Sequence, residues 1–181
     1  MVGHDDAMID FRELSLLAPE VADPIAARFA QSGVGMLGTV RLNGAPRVSP
    51  IEVGSCEDRL YVGMMPGSRK HLDALRDPRY CMVTAIADRH DTAGEGKLYG
   101  VLDLVSERSR SDTILRHLAG ANGYDPEPLL GSPMFELLVD AAAWQLVIDD
   151  AWTTLSWREG VDGVVVRRRT NELGDDGPTS R

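Results

Sequence analysis

The chain has 181 residues, of which 43% are hydrophobic, 26% charged and 6% aromatic, and its formal net charge at neutral pH is −9. That length fits one domain, and the acidic balance argues against a nucleic-acid or anionic-membrane surface as the main partner, with Arg167, Arg168 and Arg169 only a local exception. Two isolated thiols (Cys56 and Cys81), no apolar run near the roughly 20 residues of a membrane span, and an acidic start without a basic-then-apolar leader point to a cytoplasmic protein.

In chain order, residues 1–22 read as a loosely ordered lead-in with a short apolar patch at Leu14, Leu16 and Leu17. Asp23-Pro24 is an N-cap followed by proline at the first helical position, and Ile25, Ala26, Phe29 and Ala30 then share a helical face that Gly33 ends. The period then shortens. Stretches 34–41, 46–53 and 60–65 are short and apolar or alternating, linked by Asn43-Gly44 and by an acidic turn at Glu57-Asp58. Without helices between them, these are antiparallel hairpins. A short helix over 68–77 follows, stopped by Asp77-Pro78, then strands over 80–87 and 97–105 flanking a polar loop at 88–96. A second long helix starts at Ser106, carries Ile114, Leu115 and Leu118 on one side, and ends in Gly120 and Gly123. A proline-rich loop occupies 124–133. Residues 135–148 suit either a helix, by their Ala and Leu content, or a strand, by their Val and Trp. Stretch 152–158 alternates as a strand, 160–169 suits an edge strand, and 170–181 has the composition of a disordered tail. The expected organisation is a lead-in over 1–22, a β-rich α+β domain over 23–169 built as a closed antiparallel barrel with peripheral helices, and the tail.

Several familiar signals fail on context. Gly33-Val34-Gly35-Met36-Leu37-Gly38 has the spacing of a dinucleotide fingerprint, but a helix precedes it and a strand follows, the reverse of what that motif needs. Its glycines suit close backbone approach in a tight barrel. His4, His71, His90 and His117 lack metal spacing, and no nucleophile elbow or phosphate loop is present, so neither a metal site nor catalytic residues are assigned. The anomaly is Gly67-Ser68-Arg69-Lys70. A helix start already carries about half a positive charge, so two cations there are unfavourable unless an anion joins them. A capping hydroxyl, free N–H groups and two cations suit a phosphate.

One hairpin upstream lies Ala45-Pro46-Arg47-Val48-Ser49-Pro50-Ile51, and the run from Gly38 to Pro78 continues through Leu60-Tyr61-Val62-Gly63 to Ser68-Arg69-Lys70 and Asp77-Pro78. This order of motifs resembles the pyridoxamine 5'-phosphate oxidase-like family of flavin-binding split barrels. The resemblance is most specific over those forty or so residues, and weaker from Lys97-Leu98-Tyr99-Gly100 to Trp157. It implies a six-stranded antiparallel split barrel (the FMN-binding split barrel), a homodimer with cofactor sites between subunits, and an oxidoreductase that moves a hydride to or from a small organic molecule. It further implies that Ser68, Arg69 and Lys70 grip the cofactor phosphate. Arg47, Val48, Ser49 and Pro50 would run along the ribityl chain and ring, Arg47 also reaching the phosphate, and Gly63 and Met64 would line the same groove. The implied cofactor is FMN, with the deazaflavin coenzyme F420 as the alternative and haem, which some members bind, as a third. A flavin carrier or sensor without turnover is the non-enzymatic alternative. Two departures argue against oxidation of pyridoxine phosphate itself. Glu52 stands where that enzyme has a lysine, and the C-terminal Arg-x-His and Arg-Leu signatures are missing.

Overall fold

The computed structural model of the protein describes residues 8–85 and 93–170. His4, His90, most of the loop expected at 88–96 and the tail beyond Thr170 lie outside the described residues.

Helix α1 (Phe11–Leu17) is capped by Asp10, whose carboxylate accepts from the Glu13 N–H at 2.9 Å. Helix α2 (Pro19–Ser32) has proline in its first turn and ends at Gly33, which takes φ +66° and donates to the Phe29 carbonyl at 2.8 Å. The chain is therefore helical from Phe11, ahead of the expected start at Asp23-Pro24. Pro19 and Pro24 are competing first-turn prolines. Pro19 prevails because Val21 and Ala22 extend the buried stripe of Ile25 and Phe29 by one turn.

Among the described residues nine strands follow, with two further helices and a 3₁₀ turn at Glu127–Leu129. They are β1 (Val34–Val40), β2 (Pro46–Glu52), β3 (Gly54–Cys56) and β4 (Arg59–Gly63), then helix α3 (Arg69–Arg76), β5 (Arg79–Thr84) and β6 (Glu95–Leu104), then helix α4 (Arg108–Asn122), β7 (Met134–Ile148), β8 (Ala151–Arg158) and β9 (Val165–Thr170). All pairings are antiparallel, in the order β2-β1-β5-β6-β7-β4-β3, with β8 added to β7 and β9 to β8. The count is nine rather than the implied six, and the ladder does not close: among the described residues β2 lies against β4 without pairing to it. The two ends of the path, β2 and β3, are nevertheless consecutive in the chain, separated by Val53, so the sheet curls back on itself.

Residues 135–148 form strand, not helix. β7 runs alongside β6 from Phe135 to Gln145, and on its other edge Met134 to Glu136 pair with β4 and Ala141 to Ile148 with β8. The pairing of Tyr99 with Ala141 and Gly100 with Val139 leaves Asp140 as an extra residue, a β-bulge. Buried positions fall at Leu137 and Val139 before it and at Ala142 and Trp144 after it. The bulge thus shifts the two-residue period by one and erases the alternation over the whole stretch. Opposite it, Gly100 takes φ +155°, and a Cβ there would lie 2.0 Å from the Leu138 carbonyl oxygen. The β3–β4 and β7–β8 hairpins turn on Glu57-Asp58 and Asp149-Asp150, each pair with both φ values positive (54° and 61°, 49° and 57°). Arg168 Nη2 donates across the second turn to Ile148 O and Asp149 Oδ2, both at 3.3 Å.

The main core gathers Leu14, Val21, Ile25 and Phe29 from the helices against Leu37, Met82, Leu98, Leu137 and Trp157 from the sheet. Gly35 allows this approach, because a Cβ there would sit 2.5 Å from the Met82 sulfur and 3.0 Å from the Phe29 ring. A smaller cluster of Cys56, Tyr61, Ile114, Leu115, Leu118 and Met134 holds α4 against β3 and β4. Among the described residues, no helix is long and apolar enough to cross a membrane.

Candidate functional site

Helix α3 begins as its residues require. Gly67 takes φ +72°, Ser68 is extended at φ −62°, ψ 155°, and its hydroxyl accepts from the His71 N–H at 3.3 Å. His71 Nδ1 accepts from the Gly67 N–H at 3.0 Å, which leaves the ring proton on Nε2, and the ring meets Phe135 edge-on at 6.1 Å. His71 is thus a brace for the turn. Arg69 and Lys70 occupy the first turn, where the backbone N–H groups have no carbonyl partner within the helix.

Three contacts fasten α3 to the sheet beside β2. Lys70 Nζ donates to the Pro50 carbonyl at 3.2 Å, and burial pushes its ammonium down from the ordinary lysine value. Arg47 Nε donates to Asp73 Oδ2 at 2.6 Å, and both terminal nitrogens of Arg76 reach Asp73 Oδ1 at 3.2 Å. Arg76 Nη2 also reaches the Val40 carbonyl on β1. Asp73 is buried, yet its carboxyl lies below the usual carboxylate range. Burial pushes it up, and the hydrogen bonds from Arg47 and Arg76 outweigh that.

The residues singled out in the sequence therefore divide. Lys70 reaches Pro50 and Arg47 reaches Asp73 across the contact of β2 with α3, Ser68 caps the helix, and Arg69 stands exposed at the same helix start. Ser49 is half-buried on the Arg47 side of β2, while Val48 and Pro50 point outward, Val48 at 64% exposure. Gly63 and Met64 lie elsewhere: they line a cavity of about 450 Å³ between the ends of β1, β2 and β4 and the inner side of α4. The two places adjoin. On one side Pro50 and Glu52 are alternate residues of β2, and on the other Met65 at the cavity leads directly into the Gly67-Ser68 turn. Leu115, Leu118, Met134 and Tyr61 make the cavity apolar. Glu52 and Tyr124 lie on its lining, and burial first, then the Glu52 carboxylate, pushes the Tyr124 phenol up. On the far side of Tyr61 its hydroxyl donates to Glu136 Oε2 at 3.4 Å, beside an Arg59 that pairs with Asp10 at 2.8 Å and Glu136 at 3.3 Å.

Sequence reasoning missed Asp73, Arg76 and most of the cavity wall. The Asp73–Arg76 pair is a helix i,i+3 contact and was readable from spacing. The Arg47–Asp73 pair joins residues far apart in the chain, and no local pattern announces it.

No protein-family model matches the chain, and no curated protein matches it. Solved structures do. ChuZ of Campylobacter jejuni superposes with a TM-score of 0.65 at 12% identity, covering 79% of this chain and 60% of that one. PhzG of Burkholderia lata, solved in complex with tetrahydrophenazine-1-carboxylic acid, gives 0.62 at 13% identity over 94% of this chain and 98% of its own. A Clostridium acetobutylicum protein related to general stress protein 26 of B. subtilis, described as of the pyridoxinephosphate oxidase family, gives 0.58 at 11% identity over 74% and 90%. Likeness at such identities is likeness of fold. The chain carries the fold of the pyridoxamine 5'-phosphate oxidase-like proteins that its Pro-Arg-Val-Ser-Pro and Ser-Arg-Lys segments resemble.

Proposed function

We propose that the protein is a flavin- or deazaflavin-dependent oxidoreductase that holds the cofactor phosphate at the start of α3 and a small organic molecule in the adjoining cavity. The observation that carries this is the packing of the α3 start on β2. From the capped first turn the half-buried ammonium of Lys70 reaches the Pro50 carbonyl on the strand segment Arg47 to Pro50, and Arg69 stands exposed on the same turn. Such a donor set fits an anion, since each charge-assisted hydrogen bond to a phosphate oxygen would offset the burial that now depresses Lys70.

Ser68, Arg69 and Lys70 would hold the phosphate, and Arg47, fixed by Asp73, would border it. The outward residues of β2 (Val48 and Pro50), with Gly63, would border the ring. FMN or a deazaflavin supplies the hydride chemistry, which explains why no acid–base pair is conspicuous among the side chains. Met64, Leu115 and Leu118 give the cavity an apolar wall. The bound acid in PhzG shows that this fold admits a small ring compound in that protein.

The working unit is proposed to be a homodimer. Across the outer face of the sheet, Val48, Gly38, Cys81, Tyr99 and Ala141 stand side by side in register. Met36, Val48 and Tyr99 on that face are exposed, and a second copy would cover them.

The test is a titration of the purified protein with FMN and with deazaflavin, followed by fluorescence quenching, and then a search for turnover with reductant and acceptor. Arg69→Ala with Lys70→Ala should weaken binding by about 3–6 kcal/mol, from about 1.5–3 kcal/mol for each charged hydrogen bond. Affinity unchanged in the double variant would return the segment to a solvated turn. A protein that binds neither cofactor would refute the assignment, and tight binding without turnover would make it a carrier.

A further inference from the structure

The cavity has one charge of its own. Among the described residues that line it are Met64, Met65, Leu115, Leu118, Met134 and Glu52, and no lysine, arginine or histidine is among them. Glu52 ends β2, on the outward side shared with Pro50, and makes no ion pair among the described residues. The other polar side chains on the wall are neutral: Tyr61, Ser32 and Ser132, and, from the α4 end, Tyr124 and Asn122, whose Nδ2 is already committed to the Leu118 carbonyl at 2.8 Å. Neither cation of the α3 start lines the cavity, and Lys70 is held on the Pro50 carbonyl. The site is therefore polarised, with positive charge outside the cavity and negative charge on its wall.

We propose that the cavity takes an apolar, ring-sized molecule carrying a protonated amine, and that Glu52 is the residue that selects it over the corresponding acid. This names the substrate class of the oxidoreductase proposed above and rests on that reading for the word substrate. Binding of the amine does not. An organic acid entering the cavity would lose hydration opposite a carboxylate with no cation on the wall to compensate, whereas an ammonium would gain a charge-assisted bond to Glu52. The sulfur-rich wall of Met64, Met65 and Met134 suits an aromatic or polarisable body of varied outline.

The experiment compares 1-naphthylmethylamine with 1-naphthoic acid at pH 7, with and without FMN, on protein labelled at the methionine methyls. Shifts of the Met64, Met65 and Met134 methyls locate the probe in the cavity. The amine should bind at least tenfold more tightly than the acid. Glu52→Gln should reduce that preference to less than threefold, and Glu52→Lys should reverse it. Acid binding as tight as amine binding would overturn the proposal. So would a preference that survives Glu52→Gln, because it would then come from the overall charge of −9. Failure of both probes to move the three methyls would overturn it as well. If the amine binds with the stated preference while neither FMN nor deazaflavin binds, the cavity assignment stands and the cofactor assignment falls.

Discussion

Replacing Asp73 by asparagine keeps the shape of the side chain and removes the charge that ties α3 to the sheet. Three charge-assisted hydrogen bonds reach this carboxylate, from Arg47 Nε and both Arg76 terminal nitrogens. Breaking a well-buried pair costs about 3–5 kcal/mol, mostly from the charge left behind. Here the stranded groups are not deep: the Asp73 side chain is 6% exposed, but Arg47 and Arg76 are 22% and 33% exposed and regain water when released. Asparagine also retains one acceptor, so the cost falls to about 2 kcal/mol, about one charged hydrogen bond's worth. For a domain of this size that lowers Tm by about 4–8 °C. The loss carries a pH signature. Because the folded Asp73 carboxyl lies below its unfolded value, it adds stability above that value, and the gain disappears as pH falls through the folded one. Urea unfolding of both proteins from pH 7 down to pH 3 should show a full gap above about pH 5 that closes below about pH 4, the region of a free carboxyl. A difference under about 0.5 kcal/mol at pH 7, the size of an ordinary surface change, would refute the idea that this carboxylate organises the site.

Gly100→Ala places a methyl group against the Leu138 carbonyl at the bulge, in a backbone conformation that side chains rarely adopt, and should cost about 3 kcal/mol or more in urea unfolding. Val48→Glu should leave the fold intact and halve the mass seen by light scattering, to 19.7 kDa, if the outer sheet face joins two copies. Wild-type protein already at that mass would remove the dimer. Burial pushes both thiols up, so Cys56 and Cys81 should alkylate with iodoacetamide more than about tenfold slower than free cysteine at neutral pH. Equal rates for native and unfolded protein would contradict that burial.

The parts of this molecule legible in the sequence are those decided within a few residues. Asn43-Gly44 and Glu57-Asp58 turn where turn chemistry says they should, Gly33 ends a helix, and Ser68 caps one. The hairpins from Val34 to Gly63 follow directly. The stretch that stayed ambiguous, 135–148, did so because a single extra residue at Asp140 puts its two halves out of phase. The same Asp-Asp signal that turns β7 into β8 was available at 149–150 and, weighed with Glu57-Asp58, would have favoured strand. At the site, Ser68 and Lys70 were readable because a basic helix start is locally anomalous. Asp73 looked like one more helix carboxylate, and its role appears only when β2 is laid beside α3. The cavity joins strand ends to a helix over fifty residues away, a proximity created by folding alone.

The seam between β2 and β3 has a mechanical consequence. Two of the sheet's free edges, β2 and β3, are linked by one covalent residue, Val53, and no ladder spans the gap between β2 and β4 among the described residues. Spreading those edges breaks no ladder hydrogen bond among the described residues, and the seam is held instead by the Val53 N–H, which donates to the Gly33 carbonyl at 3.0 Å. Glu52, Val53 and Gly54 form both that seam and one wall of the cavity. The cavity is thus bounded by a line of the sheet without ladder pairing, while the strand that carries Arg47 is held in register on β1. A pocket built on such a seam holds its charge pattern fixed, so discrimination within it rests on electrostatics more than on shape.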